Sequence, residues 1–203
     1  MKKIHTVIFD LGGVLIDWNP RHLYRTIFDD EKKMNDFFTD VCTSDWNEEQ
    51  DGGRSLKDAT DELVGRFPDH EDNIRAYYGR WEEMLRGPLE GTVEILRELR
   101  EKNDTKLYAL TNWSAETFPV ALSRFDFLHW FDGRLVSGEE KIRKPFREIY
   151  ELLLRKFNID PSSAVYIDDN QRNLKAPAEL GLDTIHFISP EQLREALRER
   201  GLL

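Results

Sequence analysis

Residues 4–17 read IHTVIFDLGGVLID, in which a β-branched and aromatic run ends in the acid Asp10 and is followed by Gly12 and Gly13. A short apolar run that stops at an acid and two glycines predicts a buried strand, here residues 4–10, followed by a tight turn. Similar strand-like runs recur at residues 106–111, 164–168 and 184–187, with a weaker one at 134–136.

Helical patterns separate these runs. They lie at residues 92–102, 115–124, 146–157, 171–180 and 190–200. Strands that alternate with helices indicate βαβ units, in which the strands lie parallel and helices cover both faces of the sheet. The sequence therefore predicts an α/β fold with a three-layer, Rossmann-like core built on a parallel sheet.

One long stretch interrupts this alternation. Residues 19–85 contain no strand-like run and are charged, aromatic and helical in period. A helical block between the first strand and the rest of an α/β core is the simplest arrangement. We therefore expect an all-helical cap domain over residues 17–87, inserted into a core made of residues 1–16 and 88–203.

Composition excludes several functional classes. The chain has 203 residues, 39% of them apolar, and 29 basic against 39 acidic residues give a net charge of −10, which opposes binding to nucleic acid. No apolar run approaches the roughly 20 residues that span a bilayer, and the first residues meet an acid too early for a signal peptide. The single cysteine, Cys42, leaves no disulfide framework within the sequence and favours a reducing compartment. We expect a cytoplasmic monomer or weak dimer whose partner is a small molecule, not a membrane or a nucleic acid.

Polar residues stand at the ends of the predicted strands, where ligands gather in doubly wound sheets. In chain order they are Asp10, Thr111 with Asn112, Lys144, and Asp168 with Asp169. Carboxylates bind a hard divalent cation, whereas an ammonium, a hydroxyl and backbone amides bind phosphate oxygens. Together these residue types predict a phosphate site.

The four clusters resemble, in order and placement, the motifs of the haloacid dehalogenase-like hydrolase superfamily, in its helical-cap branch. The matching stretches are VIFDLGGVLID, LTN, KIRKP and YIDDNQRN. The resemblance covers essentially the whole chain and implies a Mg²⁺-dependent phosphatase that hydrolyses a small phosphorylated metabolite through an aspartyl-phosphate intermediate. The first motif also resembles a subgroup of bacterial sugar-phosphate phosphatases, notably glucose 1-phosphate phosphatases.

The resemblance implies that Asp10 is the nucleophile and that Thr111 and Asn112 bind the phosphate. Structural interpretations stay open beside these roles. Asp10 suits a plain turn before glycines, and the Thr-Asn pair suits the N-cap of the helix that follows.

Lys144 resembles the lysine that neutralises the nucleophile and the phosphoryl group. Lys141 and Arg143 compete for this role, but only Lys144 directly precedes a proline, as the family pattern requires. A solvated basic loop is the structural alternative.

The resemblance also implies a Mg²⁺ site made by Asp10, the Gly12 carbonyl, Asp168 and Asp169. Two adjacent carboxylates repel one another unless a cation lies between them, which favours the metal interpretation. Asp169 is expected to bind directly and Asp168 directly or through water, with a helix N-terminal charge as the alternative for Asp168. Asn173 is expected to orient Lys144 or a metal-bound water.

One departure from the family pattern concerns proton transfer. Most phosphatases of the superfamily carry a second aspartate two residues after the nucleophile, and this sequence has Gly12 there. Loss of a general acid costs a factor of about 10²–10⁴ for a poor leaving group. Slow chemistry, another proton donor or a good leaving group, such as that of a sugar 1-phosphate, would each accommodate glycine.

Substrate specificity is expected to come from the cap. Trp46 lies in a polar loop and is predicted to contact substrate, with Trp18 as a second candidate. A tryptophan in a small helical block is equally consistent with a place in the core.

Two rival functions stay open. A 2-haloacid dehalogenase uses the same nucleophile without a metal, although dehalogenases of that type generally lack the acidic pair found at 168–169. A weakly active protein that binds a phosphorylated metabolite is the other, because Gly12 removes the usual acid.

Overall fold

The computed structural model describes residues 3–203, so Met1 and Lys2 of the predicted core segment 1–16 lie outside it. In chain order its strands are β1 (Thr6–Phe9), β2 (Ile16–Trp18), β3 (Leu85–Pro88), β4 (Lys106–Thr111), β5 (Gly133–Val136), β6 (Ala164–Asp168) and β7 (Asp183–His186). Within the described residues, five of them form one parallel sheet in the order β5-β4-β1-β6-β7. The predicted parallel sheet is confirmed; β4 and β6 have the predicted bounds, and the ends of β1, β5 and β7 differ from them by one or two residues.

Helices cover both faces of this sheet and form the cap. They are α1 (Pro20–Tyr24), α2 (Glu31–Asp40), α3 (Ser44–Asp51), α4 (Leu56–Arg66), α5 (Glu71–Gly79), α6 (Glu90–Lys102), α7 (Phe118–Arg124), α8 (Ser137–Glu140), α9 (Arg147–Lys156), α10 (Lys175–Glu179) and α11 (Pro190–Glu199). No helix within residues 3–203 is long and apolar enough to cross a membrane.

Strand β1 lies at the centre of the sheet, and its side chains alternate between the two faces. Val7 and Phe9 belong to one apolar cluster with residues of α6 and α11, whereas Ile8 belongs to a second cluster with residues of α9. All three side chains have no exposed surface. This division confirms the three-layer α/β core.

The cap packs around Tyr24, whose ring lies within 5.1 Å of Phe37 and 5.0 Å of Phe38. Apolar residues of the cap and of one face of the sheet form a single continuous cluster. The cap therefore packs directly on the core.

An antiparallel ribbon, which the sequence did not predict, joins cap and core. Ile16 pairs with Pro88, and Asp17 with Gly87, so β2 and β3 stand at both predicted domain boundaries. Each strand is too short to show a periodic pattern. The division into 1–16, 17–87 and 88–203 stays a prediction.

The predicted helix over 171–180 is divided into a 3₁₀ turn, Gln171–Asn173, and α10. Pro177 has no N–H to donate to the carbonyl of Asn173, four residues earlier. The Tyr150 hydroxyl donates to that carbonyl instead, at 2.8 Å. The proline thus explains the interruption.

The close approach of Gly138 to the loop after β4 generates a stability prediction. A Cβ at Gly138 would lie 2.4 Å from the backbone nitrogen of Ala115 and 2.7 Å from the carbonyl oxygen of Trp113. We expect Gly138→Ala to lower the free energy of unfolding by about 1–3 kcal/mol, because backbone must move. In the control Gly65→Ala, on α4, nothing lies within 4 Å, and helix propensity should add about 0.5–1 kcal/mol. Denaturant unfolding measures both, and equal stability of the two variants would contradict the prediction.

Candidate active site

The order of the sheet brings the predicted site residues together. Because β1 lies between β4 and β6, Asp10 after β1 lies between Thr111 at the end of β4 and Asp168 at the end of β6. Lys144 enters the same place from the loop between α8 and α9. All four side chains are buried, and the carboxyl ends of three adjacent strands therefore form one polar centre.

The Lys144 ammonium lies between two carboxylates. Its Nζ is 2.8 Å from Asp10 Oδ2 and 2.7 Å from Asp168 Oδ2, and it donates to the Leu110 carbonyl at 3.3 Å. The side chain is 1% exposed, which excludes a solvated basic loop. Arg143, by contrast, binds Glu48 of the cap.

The electrostatics of this group follow from burial and from the surplus of carboxylates. Burial lowers the pKa of Lys144, but Asp10 and Asp168 outweigh it and raise the pKa above its ordinary value. Burial raises the pKa of Asp10 well above its usual range, against the attraction of Lys144, and the charge of Asp168 adds to the rise. The buried centre has more negative than positive charge, so a cation is expected to stabilise it.

Asp168 is surrounded by hydrogen-bond donors. Besides Lys144, its carboxylate accepts from the Tyr166 hydroxyl, from Asn173 Nδ2 at 3.0 and 3.1 Å, and from the backbone N–H of Asn170 at 2.8 Å. Although burial raises its pKa, Lys144 and these donors hold the pKa below the usual value. Asn173 thus contacts Asp168 and orients Lys144 through it.

Oxygen atoms suited to a divalent cation converge beside Lys144. Ligand oxygens of Asp10, Asp168 and Asp169 lie within 4.8 Å of one another, and the exposed Asp169 lines the cleft together with Gly12. An all-oxygen donor set fits a hard cation such as Mg²⁺. Since Asp168 is occupied by donors, Asp169 is the freer ligand.

Gly13 allows Asp169 to approach the loop after β1. Its φ is +74°, a conformation that side chains disfavour, and a Cβ there would lie 2.4 Å from Asp169 Oδ2. The glycine predicted for a tight turn therefore also makes room for a carboxylate of the site.

Thr111 and Asn112 are placed differently from each other. Thr111 is 1% exposed and lines the cleft. The Asn112 amide binds the backbone of Lys144 twice, accepting from its N–H at 2.8 Å and donating to its carbonyl at 3.0 Å. Asn112 therefore positions Lys144, and its direct contact with substrate stays a proposal. Neither residue caps a helix, since α7 begins at Phe118.

The cap closes one side of a cleft of about 700 Å³, and this corrects the assignment of Trp46. Trp46 is 8% exposed and packs edge-on against Tyr77, with ring centroids 5.2 Å apart, in the cap core. The tryptophan among the lining residues is Trp18. Helical periodicity alone does not distinguish these two positions.

Helix α3 also carries contacts that sequence reasoning missed. Glu48 binds Arg143 at 2.7 Å and forms a second ion pair with Arg172, so one cap residue bridges two core loops. Asp51, one turn later, lines the cleft. Both lie in the acidic stretch SDWNEEQDGGRS, and no sequence signal distinguishes them from acidic residues exposed to solvent.

Comparisons with known proteins agree with this geometry. The sequence profile of the family described as haloacid dehalogenase-like hydrolase matches residues 4–181. A sesquiterpene phosphatase of Aspergillus oryzae is 28% identical over 180 residues, covering 89% of this chain and 88% of that protein. A phosphorylated carbohydrates phosphatase of Thermotoga maritima is 26% identical over 198 residues, covering 91% and 85%.

The fold is shared with a solved structure of another protein that contains bound magnesium and phosphate ions. A family enzyme of Bacteroides thetaiotaomicron, crystallised with magnesium and inorganic phosphate, superposes with a TM-score of 0.67 at 20% identity, covering 92% of this chain and 95% of that one.

The convergence of carboxylates generates a prediction about metal binding. We expect Mg²⁺ to raise the melting temperature of the wild type, because an ion that binds the folded state stabilises it. Asp169→Ala should abolish this shift by removing the freest ligand. Glu101→Ala removes an exposed carboxylate on α6 and should retain the shift. Calorimetry measures both, and an unchanged Mg²⁺ affinity in Asp169→Ala would refute the assignment.

Proposed function

The chain belongs to the haloacid dehalogenase-like hydrolases and is a phosphatase of that family, and on this premise we propose that it hydrolyses a sugar phosphate with Mg²⁺ through an aspartyl-phosphate. The observation that carries the proposal is the ammonium of Lys144 held between Asp10 and Asp168, with Asp169 facing the cleft. The ammonium can bind a phosphate dianion, and the carboxylates can bind a divalent cation beside it.

The residues divide the work of covalent catalysis. Asp10 Oδ1 accepts from the N–H of Leu11 at 2.7 Å, which fixes the carboxylate, and Oδ2 lies beside Lys144. A carboxylate oxygen of Asp10 attacks phosphorus, the bond to the leaving oxygen breaks, and water then hydrolyses the acyl phosphate. Lys144 and the Thr111 hydroxyl bind the phosphoryl oxygens. Mg²⁺, held by Asp10, the Gly12 carbonyl, Asp169 and, directly or through water, Asp168, would neutralise charge on the phosphoryl group.

The acidic pair argues against the dehalogenase alternative. A dehalogenase attacks carbon and needs no metal, whereas the three carboxylates of Asp10, Asp168 and Asp169 carry more negative charge than the single ammonium of Lys144 balances, which favours a bound cation. Likeness to solved dehalogenases concerns the fold alone.

A polar cleft supports a small hydroxylated substrate. Its cap side is lined by Arg21, which donates to Asn35, and by Asn35 itself, whose amide N–H groups can bind hydroxyl oxygens. Trp18 lines the same cleft. A related protein of Thermotoga maritima acts on phosphorylated carbohydrates, which agrees with this choice.

We further propose a cytoplasmic location and a monomer or weak dimer.

The proposal is tested by measuring phosphate release from a panel of sugar phosphates and p-nitrophenyl phosphate. Turnover with Mg²⁺, lost on chelation, is the expected result. Turnover of 2-haloacids instead would support the dehalogenase, and binding of phosphates without turnover would support a binding protein.

The nucleophile generates a sharper prediction. Asp10→Asn keeps the shape of the side chain and removes its charge, so phosphate release should vanish while the melting temperature shows a folded protein. The control Asp36→Asn changes the same charge at an exposed position on α2 and should remain active. Beryllium fluoride, which mimics a phosphoryl group on aspartate, should bind wild type and not Asp10→Asn. Wild-type turnover by Asp10→Asn would exclude covalent catalysis at this residue.

A further inference from the structure

An open space lies beside the nucleophile, where most phosphatases of the family carry an acid. A Cβ added to Gly12 would have no neighbour within 4 Å, and the φ of Gly12 is not positive. The carboxylate that shares this space comes from the cap. Asp51, the last residue of α3, lines the main cleft with Asp10 and Gly12, and also a smaller cavity of about 50 Å³ with Gly12 and Asn112.

Contacts with both domains hold Asp51 in this position. Its backbone carbonyl accepts from the Ser137 hydroxyl, at the start of α8. Its carboxylate accepts from Asn47 Nδ2 at 3.1 Å, and the backbone N–H of Ser114, in the loop that follows β4, lowers its pKa. Thr111, whose hydroxyl is proposed to bind phosphate, is the last residue of β4. The Asp51 carboxyl therefore lies beside the loop that directly follows this hydroxyl.

The surroundings of Asp51 favour a carboxyl that exchanges protons near neutral pH. Burial, reinforced by the charge of Glu48 on the same helix, raises the pKa of Asp51 to about 7, against the Ser114 N–H, Arg143 and Lys144. On the α5 side it faces the buried Tyr77 and the partly buried Tyr78, whose own pKa values burial raises. A group of this kind suits general acid and base catalysis.

We propose that Asp51 is the catalytic acid and base that replaces the aspartate missing at position 12. The inference rests on the proposed phosphatase function. In the first step Asp10 attacks phosphorus, the bond from phosphorus to the leaving oxygen breaks, and that oxygen takes the proton of the Asp51 carboxyl. In the second step the Asp51 carboxylate takes a proton from water, whose oxygen attacks phosphorus and releases Asp10 and phosphate. With this donor in place, an ordinary alkyl phosphate is as suitable a substrate as a sugar 1-phosphate.

The experiment compares leaving groups in Asp51→Asn. Asparagine keeps the size of the side chain and removes the proton. The kcat/KM for glucose 6-phosphate, whose alkoxide leaving group needs a proton, should fall about 10²–10⁴-fold, because kcat/KM reports the steps up to release of the leaving group. The kcat/KM for p-nitrophenyl phosphate, whose leaving group departs as an anion, should fall less than tenfold, whereas kcat also reports the second step that both substrates share. The wild-type kcat/KM for glucose 6-phosphate should decline as pH rises through about 7, because only the protonated Asp51 donates in the first step, and this decline should be absent in the variant.

Two further variants separate proton transfer from damage to the cap. Asp45→Asn removes the same charge from an exposed position on α3 and should leave both activities unchanged. The double variant Gly12→Asp with Asp51→Asn restores an acid in the open space beside Asp10 and should recover glucose 6-phosphate turnover.

The outcomes distinguish this inference from the proposed function. If wild type and Asp51→Asn hydrolyse glucose 6-phosphate equally, the inference fails while the phosphatase stands. An equal loss on both substrates gives Asp51 a structural role and also overturns the inference. A wild type that hydrolyses p-nitrophenyl phosphate and no sugar phosphate of the panel overturns the inference, and one that hydrolyses none of these esters overturns the proposed function and this inference with it.

Discussion

The ammonium of Lys144 is the charge on which the rest of the site depends. It lies buried between Asp10 and Asp168, where two carboxylates on adjacent strands would otherwise repel each other in a medium of low dielectric constant. A buried charge left without its partner is strongly destabilising, so the surrounding structure is organised to keep this one in place. Asn112 holds its backbone, and Asn173 and Tyr166 hold the carboxylate it faces.

The parallel sheet explains why most of the fold and much of the site could be predicted from the sequence. A parallel sheet gathers the carboxyl ends of its strands at one edge, so an apolar run that ends in an acidic, hydroxyl or amide side chain indicates both the strand and its functional end. Asp10, Thr111 and Asp168 follow this rule. Lys144 does not end a strand, and the proline after it in the KIRKP stretch was the observation that separated it from Lys141 and Arg143.

What could not be predicted lies where two parts of the chain meet only after folding. Trp46 and Trp18 have similar local sequence surroundings, yet one packs in the cap and the other faces the cleft, a difference set by how α3 and β2 are oriented. Glu48 and Asp51 are two acids in an acidic helix. Their partners, Arg143 and Ser114, belong to core loops distant in sequence, so no local pattern marks either acid as different from its solvated neighbours.

The β2–β3 ribbon limits the movements that the cap could make relative to the core. The two chain connections between the predicted cap and core are hydrogen-bonded to each other, so a movement of the cap would be restricted to a rotation about this ribbon. Glu48 and Asp51 lie one turn apart on α3, and a swing that breaks the Glu48 ion pairs also withdraws the Asp51 carboxyl. If Asp51 is the proton donor, as we propose, an open molecule would retain Asp10 and Lys144 but lack that donor. Closure of the cap would then be required for protonation of the leaving group, and an open state would exchange substrate and phosphate without catalysing the transfer.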